Sequence, residues 1–469
     1  MLLVHRSIGN SHRFTSTLEL VDKDRFCPVM DGQLRAKEKT PMRYRLAIAS
    51  YQAILFALMP LVWRYFLRRA KKDPAYGEHW DERRGEQSAD RADVWVHAVS
   101  LGELRSAEPC IRAILNEGAS IIITHATPAG RRGSYKLFEK DISEGRVQVA
   151  YAPLDRIIFW KQFFRAKCPK VGLVFEIEFW PGMVEAARSS GVDLWFANSQ
   201  VPSKTYPRAR RVRALLGSHP VQRARGVLAK SERMAERLRA LGGSDVRSVG
   251  ETRFDIPPPQ EHLEAAKHLK SSRPSRRIVT FASVVEGEEE LYLEAARRLL
   301  ESIQGSLIVW VPRASETFES TFDLLVSAGL GVAKRSDVLD DRLTLTGALD
   351  GVEVIVGDSY GEMFFYLSLA DAVSVGGGFL ESGAHNVIEP LALGKPVATG
   401  PQIWTIEYPA VEAIEAGVLE VCQSAENLAE TLEDLIGRDA AAAVKFHQDN
   451  AGASIEIAEL AMNTVRRVS

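Results

Sequence analysis

The sequence predicts an α/β protein with two Rossmann-like domains that face each other across a cleft, preceded by an apolar helix. Its 469 residues, 46% of them hydrophobic, are too many for one core and suit two large domains. Short β-branched runs alternate with helix-length segments, which is typical of parallel βαβ units with right-handed crossovers. One uncharged run near the N-terminus interrupts this rhythm.

Apolar runs predict six strands in each half of the chain. In the first half they are VWVHAV (94–99), SIIIT (120–124), VQVAY (147–151), VGLVF (171–175), VDLWFA (192–197) and GVLA (226–229). The rhythm breaks at IPPPQ (256–260) and the polar stretch after it, which indicates a linker. It restarts with RIVTFA (277–282), SLIVWV (306–311), VEVIV (352–356), AVSVG (372–376), PVAT (396–399) and LEVC (419–422).

These breaks divide the chain into six segments. We predict a disordered extension (1–41), a membrane-associated helix (42–72), an N-terminal Rossmann-like domain (73–256), a linker (257–276), a C-terminal Rossmann-like domain (277–445) and a C-terminal helix (446–469). The Ala/Glu/Leu-rich tail suits helices that pack back across the domains. Met42 begins a stretch that looks like an ordinary N-terminus, so translation could start there.

The uncharged run from Leu46 to Trp63 has 18 residues, which is borderline for spanning a bilayer. Basic residues flank it: Arg43, Arg45, Arg64, Arg68, Arg69, Lys71 and Lys72. We expect this segment to lie apart from the core, with its apolar side chains exposed, as a membrane anchor. A buried core helix is the alternative. A signal peptide fits less well, because 45 mostly polar residues precede the run.

Charge and cysteines narrow the class of protein. A net charge of −2 gives no global field for nucleic acid, so no nucleic-acid partner is expected. The four cysteines have neither zinc-site nor disulfide-framework spacing: Cys27, Cys110, Cys168 and Cys422. A reducing, cytosolic setting follows.

Acidic residues follow two strands of the first half. Glu103 ends VHAVSLGE (96–103), and Glu176 and Glu178 lie in FEIEFWPG (175–182). Because doubly wound folds bind ligands at the carboxyl edge of the sheet, these carboxylates are candidate site residues. Two residues apart on an extended segment, Glu176 and Glu178 would point to one face. The structural alternatives are a glutamate that complements a helix dipole and an ordinary strand end.

A third cluster follows a strand of the second half, in GGGFLESGAHNVIEPLALGKPVATGP (376–401). Glycines would let a ligand approach backbone N–H groups, and a helix N-terminus would favour a phosphate. Glu389 lies four residues after His385, where a carboxylate could accept hydrogen bonds from both hydroxyls of a ribose. Two Rossmann-like domains occur in GT-B glycosyltransferases, sugar-nucleotide epimerases and periplasmic binding proteins alike. The architecture therefore does not distinguish these three classes, and the residues of the site must.

The ordered motifs resemble the Kdo (3-deoxy-D-manno-octulosonic acid) transferases of lipopolysaccharide synthesis over nearly all of 42–420. The family's Gly-Glu turn, Thr-x-Thr-Pro-x-Gly and Glu-Thr-Glu-Leu-Trp-Pro-Asn are similar to AVSLGE (98–103), THATPAG (124–130) and 176–182. Its Gly-Asn-x-Lys-Phe-Asp, Ser-Thr-His-x-Gly-Glu-Glu and Pro-Arg-His resemble GETRFD (250–255), SVVEGEE (283–289) and 312–314. Its Gly-Asp-Thr-x-Gly-Glu and Gly-His-Asn-x-x-Glu-Pro resemble GDSYGE (357–362) and 384–390.

This chain departs from the family pattern at several positions. The family's Asn-Ala-Arg-Leu-Ser is Asn-Ser-Gln-Val-Pro at 198–202, so an arginine that could meet an acidic group is replaced by Gln200. The lysine of Lys-Phe-Asp is Arg253, which keeps the charge but changes its geometry. Val284 and Val285 replace Thr-His, and Ala314 replaces the histidine after Arg313.

The resemblance implies a GT-B glycosyltransferase that moves Kdo from CMP-Kdo to a lipid A precursor, inverting and independent of a metal or other cofactor. Its partners would be CMP-Kdo, the lipid A precursor and the lipid surface of the inner membrane, on the cytoplasmic side. Six basic residues are candidates for binding the acceptor phosphates, namely Arg131, Arg132, Lys204, Arg208, Arg210 and Arg211. The alternatives are a GT-B enzyme with another nucleotide sugar, such as a UDP-sugar 2-epimerase, and a catalytically silent membrane homologue.

The resemblance also implies residue roles. Glu103 would be the general base, with Glu176 and Glu178 holding the acceptor or supporting an oxocarbenium-like transition state. Arg253 and Arg313 would meet the charge of the leaving phosphate. The remaining substrate- and CMP-binding candidates are Pro312, Tyr360, Gly361, Glu362, His385, Asn386, Val387, Ile388 and Glu389, with Asn386 and Glu389 at the ribose and Gly361 and Glu362 at the cytidine.

Overall fold

The computed structural model describes residues 40–176, 178–272 and 275–468. The predicted N-terminal extension therefore lies almost wholly outside the described residues. The rest forms two parallel seven-stranded sheets, each wrapped by helices, as the alternation of strands and helices predicted.

The first sheet has the order β3-β2-β1-β4-β5-β6-β7, and every pairing is parallel. Its strands are β1 Val94–His97, β2 Ile121–His125, β3 Val147–Tyr151, β4 Val171–Phe175, β5 Asp193–Ser199, β6 Gly226–Ala229 and β7 Val246–Ser248. All six predicted strands are present. The seventh, β7, was missed because it is a three-residue edge strand that is half-buried to exposed, so no apolar run marks it.

The second sheet has the order β10-β11-β9-β8-β12-β13-β14, again parallel. Its strands are β8 Ile278–Val284, β9 Leu307–Pro312, β10 Val332–Lys334, β11 Val354–Val356, β12 Ala372–Val375, β13 Val397–Thr399 and β14 Leu419–Val421. The edge strand β10, also three residues long and half-buried, is the one that the sequence did not predict.

Strand order in both sheets reverses next to the first strand of the domain. β1 lies between β2 and β4, and β8 lies between β9 and β12. Loops that leave two such neighbouring strands run to opposite faces and open a crevice at the carboxyl edge. The predicted site segments that follow β1, β4, β8 and β12 therefore converge on two crevices.

Twenty-one helices cover and join the sheets within the described residues. They are α1 Met42–Ala57, α2 Met59–Ala70, α3 Trp80–Arg83, α4 Leu101–Asn116, α5 Pro128–Leu137, α6 Glu139–Ser143, α7 Ile157–Lys167, α8 Pro181–Ser189, α9 Tyr206–Leu216, α10 Pro220–Arg223, α11 Glu232–Ala240, α12 Gln260–Ser271, α13 Glu289–Ser302, α14 Phe318–Ser327, α15 Arg335–Val338, α16 Met363–Leu369, α17 Ile388–Ala392, α18 Glu407–Glu415, α19 Ala425–Leu435, α20 Ala441–Asp449 and α21 Ala453–Val468.

Two segments differ from the simple picture drawn from the sequence. The stretch predicted as a linker contains α12, which packs against α16 of the second domain. The tail predicted as one helix comprises the end of α20 and all of α21. Ile457, Ala461 and Met462 of α21 are buried in the core of the first domain, so the chain crosses back to that domain.

The N-terminal apolar segment is a pair of helices, α1 and α2, that meet at a bend of 55°. Within the described ranges no single helix is long and apolar enough to cross a membrane, although this bent pair meets the requirement by length and composition. Large apolar side chains are exposed on both helices, among them Leu46, Ile54 and Leu61.

The expectation that this segment lies apart from the core is wrong for α1. The Tyr51 hydroxyl donates to Asp155 Oδ2 at 2.9 Å, and the Gln52 amide donates to the Asp155 carbonyl at 2.9 Å. The Ile157 N–H donates to Gln52 Oε1 at 3.0 Å. Two polar residues within an otherwise apolar run thus tie α1 to the first domain, while its apolar face remains exposed.

Candidate active site

Glu103 lies in the first turn of α4, directly after β1. The Ser100 side chain caps the helix by accepting the Glu103 N–H, while Glu103 Oε2 accepts the Val99 N–H at 2.6 Å. Burial raises the pKa of this carboxyl to about 7, and the charges of Glu178 and Glu176 act in the same direction. The side chain is therefore both a helix-capping group and an acid whose pKa suits proton transfer near neutral pH.

The segment after β4 turns sharply at Glu176, which has a left-handed φ of 63°. The expectation of an extended segment is therefore wrong, and the two glutamates do different things. Glu176 is buried and accepts a hydrogen bond from Asn198 Nδ2 at 3.0 Å, and its Oε2 lies 2.8 Å from Lys230 Nζ. Burial raises the pKa of Glu178, and the Glu176 charge adds to this effect.

Arg253 lies between the two domains. Its turn, Thr252–Asp255, packs against both α4 and α17. Arg253 Nε donates to Ser106 Oγ at 2.8 Å, and one terminal nitrogen is 3.8 Å from Glu176 Oε1. Burial opposes its charge, but the carboxylates around it, Glu389 and Glu103 among them, hold its pKa above the usual range. The guanidinium therefore interacts with acids from both sides of the cleft.

The glycine-rich turn after β12 is already bound to a carboxylate of the protein. Glu288 Oε2 accepts the Gly377 N–H at 2.7 Å and Oε1 accepts the Phe379 N–H at 2.9 Å. Glycine is required at 377, where φ is 87° and a Cβ atom would lie 2.5 Å from the Gly383 carbonyl oxygen. The expectation that the glycines leave backbone N–H groups open to a ligand is wrong for these two groups, because Glu288 already accepts both.

The segment from His385 to Glu389 presents polar groups toward the cleft and apolar groups toward the core. Asn386 Oδ1 accepts the Ile388 N–H at 3.0 Å, while Val387 and Ile388 are buried. Burial raises the pKa of Glu389 against the opposing effects of Asn386 and Arg253. Burial, and then the nearby charge of Arg313, lowers the pKa of His385 to about 4, so this ring is neutral at pH 7.

Two arginines bring positive charge to the same place. Pro312 is buried at the end of β9, and Arg313 follows it with an exposed side chain. Arg105, on α4 of the first domain, is also exposed. The charges of both Arg105 and Arg313 act on Glu389, so both domains contribute positive charge near that carboxylate.

The 360–362 segment divides into an exposed and a structural part. Tyr360 is 71% exposed, and its hydroxyl accepts the Ser315 N–H at 3.2 Å. Gly361 has a φ of 85° and turns the chain. Glu362 forms a two-point ion pair with Arg335, with distances of 2.8 and 2.6 Å, so its carboxylate is bound within the protein.

Three residues at the site were not predicted from the sequence: Lys230, Arg105 and Glu288. Lys230 directly follows β6, so the rule that selected Glu103 after β1 could also have selected it. Nothing in the sequence distinguishes Arg105 from an ordinary solvated helix residue. Glu288 lies in the quoted SVVEGEE motif, but its contact with the distant Gly377 turn could not be read from one sequence. Within residues 40–176, 178–272 and 275–468, no group of three or more histidine, cysteine, aspartate or glutamate side chains could hold a metal ion.

The fold and the site define the class of the protein. Two Rossmann-like domains, with acids at the crevice of the first and a glycine-rich turn held by Glu288 at the crevice of the second, have the GT-B architecture. The model of the 3-deoxy-D-manno-octulosonic-acid transferase (kdotransferase) family matches residues 78–256. A 3-deoxy-D-manno-octulosonic acid transferase of Bordetella pertussis is 32% identical over 382 residues, covering 78% of this chain and 86% of that protein. The chain belongs to the Kdo transferase family.

Solved structures support the fold independently. A glycosyltransferase from Rickettsia africae has a TM-score of 0.52 and 13% identity, covering 81% of this chain and 98% of that one. A putative UDP-N-acetylglucosamine 2-epimerase from Listeria monocytogenes has a TM-score of 0.51 and 15% identity, covering 78% and 94%. At such identities the likeness shows the shared GT-B architecture alone.

Proposed function

We propose that this Kdo transferase moves Kdo from CMP-Kdo to a lipid A precursor, with inversion and without a metal ion. The observation that carries the proposal is Glu103, an acid with a pKa of about 7 on the first-domain side of the cleft, coupled through Arg253 to Glu389 of the second domain. A base for the acceptor hydroxyl and donors for the leaving phosphate are thus available together.

In the proposed reaction the ionised Glu103 accepts the proton of the acceptor hydroxyl. The hydroxyl oxygen forms a bond to the anomeric carbon of Kdo from the face opposite CMP, which inverts the configuration. The bond from the anomeric carbon to the phosphate oxygen breaks, and CMP leaves with the electron pair. Arg313 and Arg253 supply fixed positive charge for that phosphate, the role that a metal ion fills in other transferases.

The donor nucleotide would bind at the second domain. Glu389 is suited to the ribose hydroxyls, because a carboxylate can accept hydrogen bonds from both, and Asn386 would support it there through its side-chain hydrogen bond to Glu389. Neutral His385 can donate or accept one hydrogen bond, but at pH 7 it adds no charge to the site. Tyr360 offers an exposed ring for the cytidine side. Glu362 would act indirectly, through the turn that it holds with Arg335.

Mass analysis of the product tests the reaction. The protein is incubated with CMP-Kdo and an acylated, phosphorylated glucosamine disaccharide, and the lipid product is weighed. A mass gain of one or more Kdo units, without added divalent cation and in the presence of a chelator, supports the proposal. CMP, and not UDP, should protect the protein against thermal unfolding. Protection by UDP alone would favour a UDP-sugar enzyme with the same fold.

The acceptor's lipid nature accords with a membrane-facing surface on the first domain. Helix α1, which has exposed apolar side chains, contacts α9, and α9 carries Arg208, Arg210 and Arg211, all exposed. Arg131 pairs with Glu82 and Arg132 pairs with Asp73, so these two are less suited to the acceptor phosphates. We therefore propose the cytoplasmic face of the inner membrane as the working location.

Vesicle sedimentation tests this location. The protein should bind vesicles that contain anionic lipid, and added salt should weaken the binding, because each basic residue near the surface contributes about 1 kcal/mol of screened attraction. Equal binding to neutral and anionic vesicles, or none to either, would contradict it.

A further inference from the structure

A buried lysine follows β6 at the carboxyl edge of the first sheet. Lys230 is 2% exposed, and its ammonium group lies between two carboxylates. Nζ is 2.8 Å from Glu176 Oε2 and 2.6 Å from Glu251 Oε2. A buried ammonium group is tolerated only when it is paired, so these contacts define its place in the site.

The two carboxylates are also joined by an amide. Asn198 Nδ2 donates to Glu176 Oε1 at 3.0 Å and to Glu251 Oε1 at 2.8 Å, while Asn198 Oδ1 accepts the Thr252 N–H at 3.1 Å. Each acid thus gives one oxygen to Lys230 and the other to Asn198. The cluster fixes the turn that carries Arg253, because Thr252 directly precedes that arginine.

Lys230 determines how much of the negative charge of Glu176 and Glu251 is left for Arg253 to neutralise. With Lys230 present, Glu176 and Glu251 share one ammonium group, and Arg253 stays 3.8 Å from Glu176 with a third of its side chain exposed. Without Lys230, two adjacent buried carboxylates would have Arg253 as the nearest cation. Electrostatics would then draw the guanidinium toward them and away from the cleft.

Gln200 is a further neighbour of this cluster. Gln200 Nε2 donates at 3.3 Å to Glu176 Oε2, the same oxygen that Lys230 contacts. The Gln200 amide oxygen is buried and has no hydrogen-bond partner among the described residues. A neutral side chain and a cation thus contact the same carboxylate oxygen from the ends of neighbouring strands, so a cation placed at residue 200 would lie near the oxygen that Lys230 contacts.

We propose that Lys230 is a positioning residue for Kdo transfer: it supplies the counter-charge that Glu176 and Glu251 share, and so keeps Arg253 available to the CMP-Kdo phosphate. The proposal rests on the proposed function, because the donor is the ligand that Arg253 would meet. Lys230 itself touches no substrate. Its effect is exerted through Glu176, Glu251 and Arg253.

Three variants test the proposal in the full chain. Lys230→Met should lower kcat/KM for CMP-Kdo on the order of 100-fold, as expected for a misplaced catalytic group, and leave the KM of the lipid acceptor unchanged. Lys230→Gln combined with Gln200→Arg returns a cation to Glu176 and should recover most of the lost activity. Lys167→Met is the matched control, because Lys167 is also 2% exposed but contacts Ser88 and Gln148, and it should leave the donor KM unchanged.

The double variant decides the outcome. If it folds but stays as inactive as Lys230→Met, or if it does not fold at all, the proposal that Lys230 acts as the counter-charge of Glu176 is refuted. Equal loss on donor and acceptor KM in Lys230→Met would also refute it, because that pattern indicates a general packing role. A wild-type enzyme inactive on CMP-Kdo would refute the proposed function instead. The ion-pair claim would then be judged by whether the double variant restores the melting temperature that Lys230→Met loses.

Discussion

Replacing Glu103 by Gln separates its role as a helix cap from its proposed role as the general base. Glutamine keeps an amide oxygen that can accept the Val99 N–H, so the helix cap is preserved, but it cannot take a proton from the acceptor. Loss of a general base lowers kcat on the order of 10²- to 10⁴-fold. CMP affinity should be nearly unchanged, because the nucleotide is expected on the opposite domain.

The same substitution should stabilise the protein above neutral pH. Burial raises the folded pKa of Glu103 from its ordinary 4.5 to about 7, so between these values the folded carboxyl holds a proton that the unfolded chain has lost. The free energy of unfolding of the wild type therefore falls as pH rises through this window. The difference corresponds to at most about 3 kcal/mol, and partial exposure reduces it to on the order of 1–2 kcal/mol.

The assay compares the wild type and Glu103→Gln by product mass and by denaturant unfolding at pH 4 and pH 8. The two proteins should unfold alike at pH 4, and the variant should be the more stable at pH 8. For the wild type, kcat/KM should rise with pH through about 7 as the base ionises. A variant that is active, or one that is less stable than the wild type at pH 8, would show that Glu103 serves as a helix cap and not as the base.

Three further predictions concern the nucleotide and the membrane. Arg313→Ala should weaken CMP binding roughly 10- to 100-fold, the value of a charged hydrogen bond, without changing the melting temperature, because the side chain is exposed; unchanged affinity by calorimetry would contradict this. His385→Asn should change CMP affinity by the same factor at pH 6 and pH 8, since burial lowers the pKa of His385 to about 4, and a factor that varies with pH would show that the ring titrates in this range. Leu61→Glu should reduce binding to anionic vesicles while turnover of a deacylated acceptor stays the same, because Leu61 is exposed on α2; equal loss on both acceptors would assign α2 to the folded core.

The architecture was predictable from the sequence because strand burial leaves a strong local signal. Parallel strands covered on both faces are continuous apolar runs, and all twelve such runs are strands in the structure. The two missed strands, β7 and β10, are short edges without that signal. The bend between α1 and α2 was also missed, although Pro60, in the first turn of α2, is a residue that ends or kinks a preceding helix and so marks the break.

The sequence by itself determined the two-domain α/β architecture, the family and the acids at the strand ends, since each depends on local pattern or on motif order. Only the tertiary structure decided what those acids contact. Glu176 turns inward to Lys230, Glu288 occupies the glycine turn, and Glu362 is held by Arg335. These partners lie on other strands and helices, and a buried charge selects its partner by three-dimensional proximity, which the linear spacing of residues does not contain.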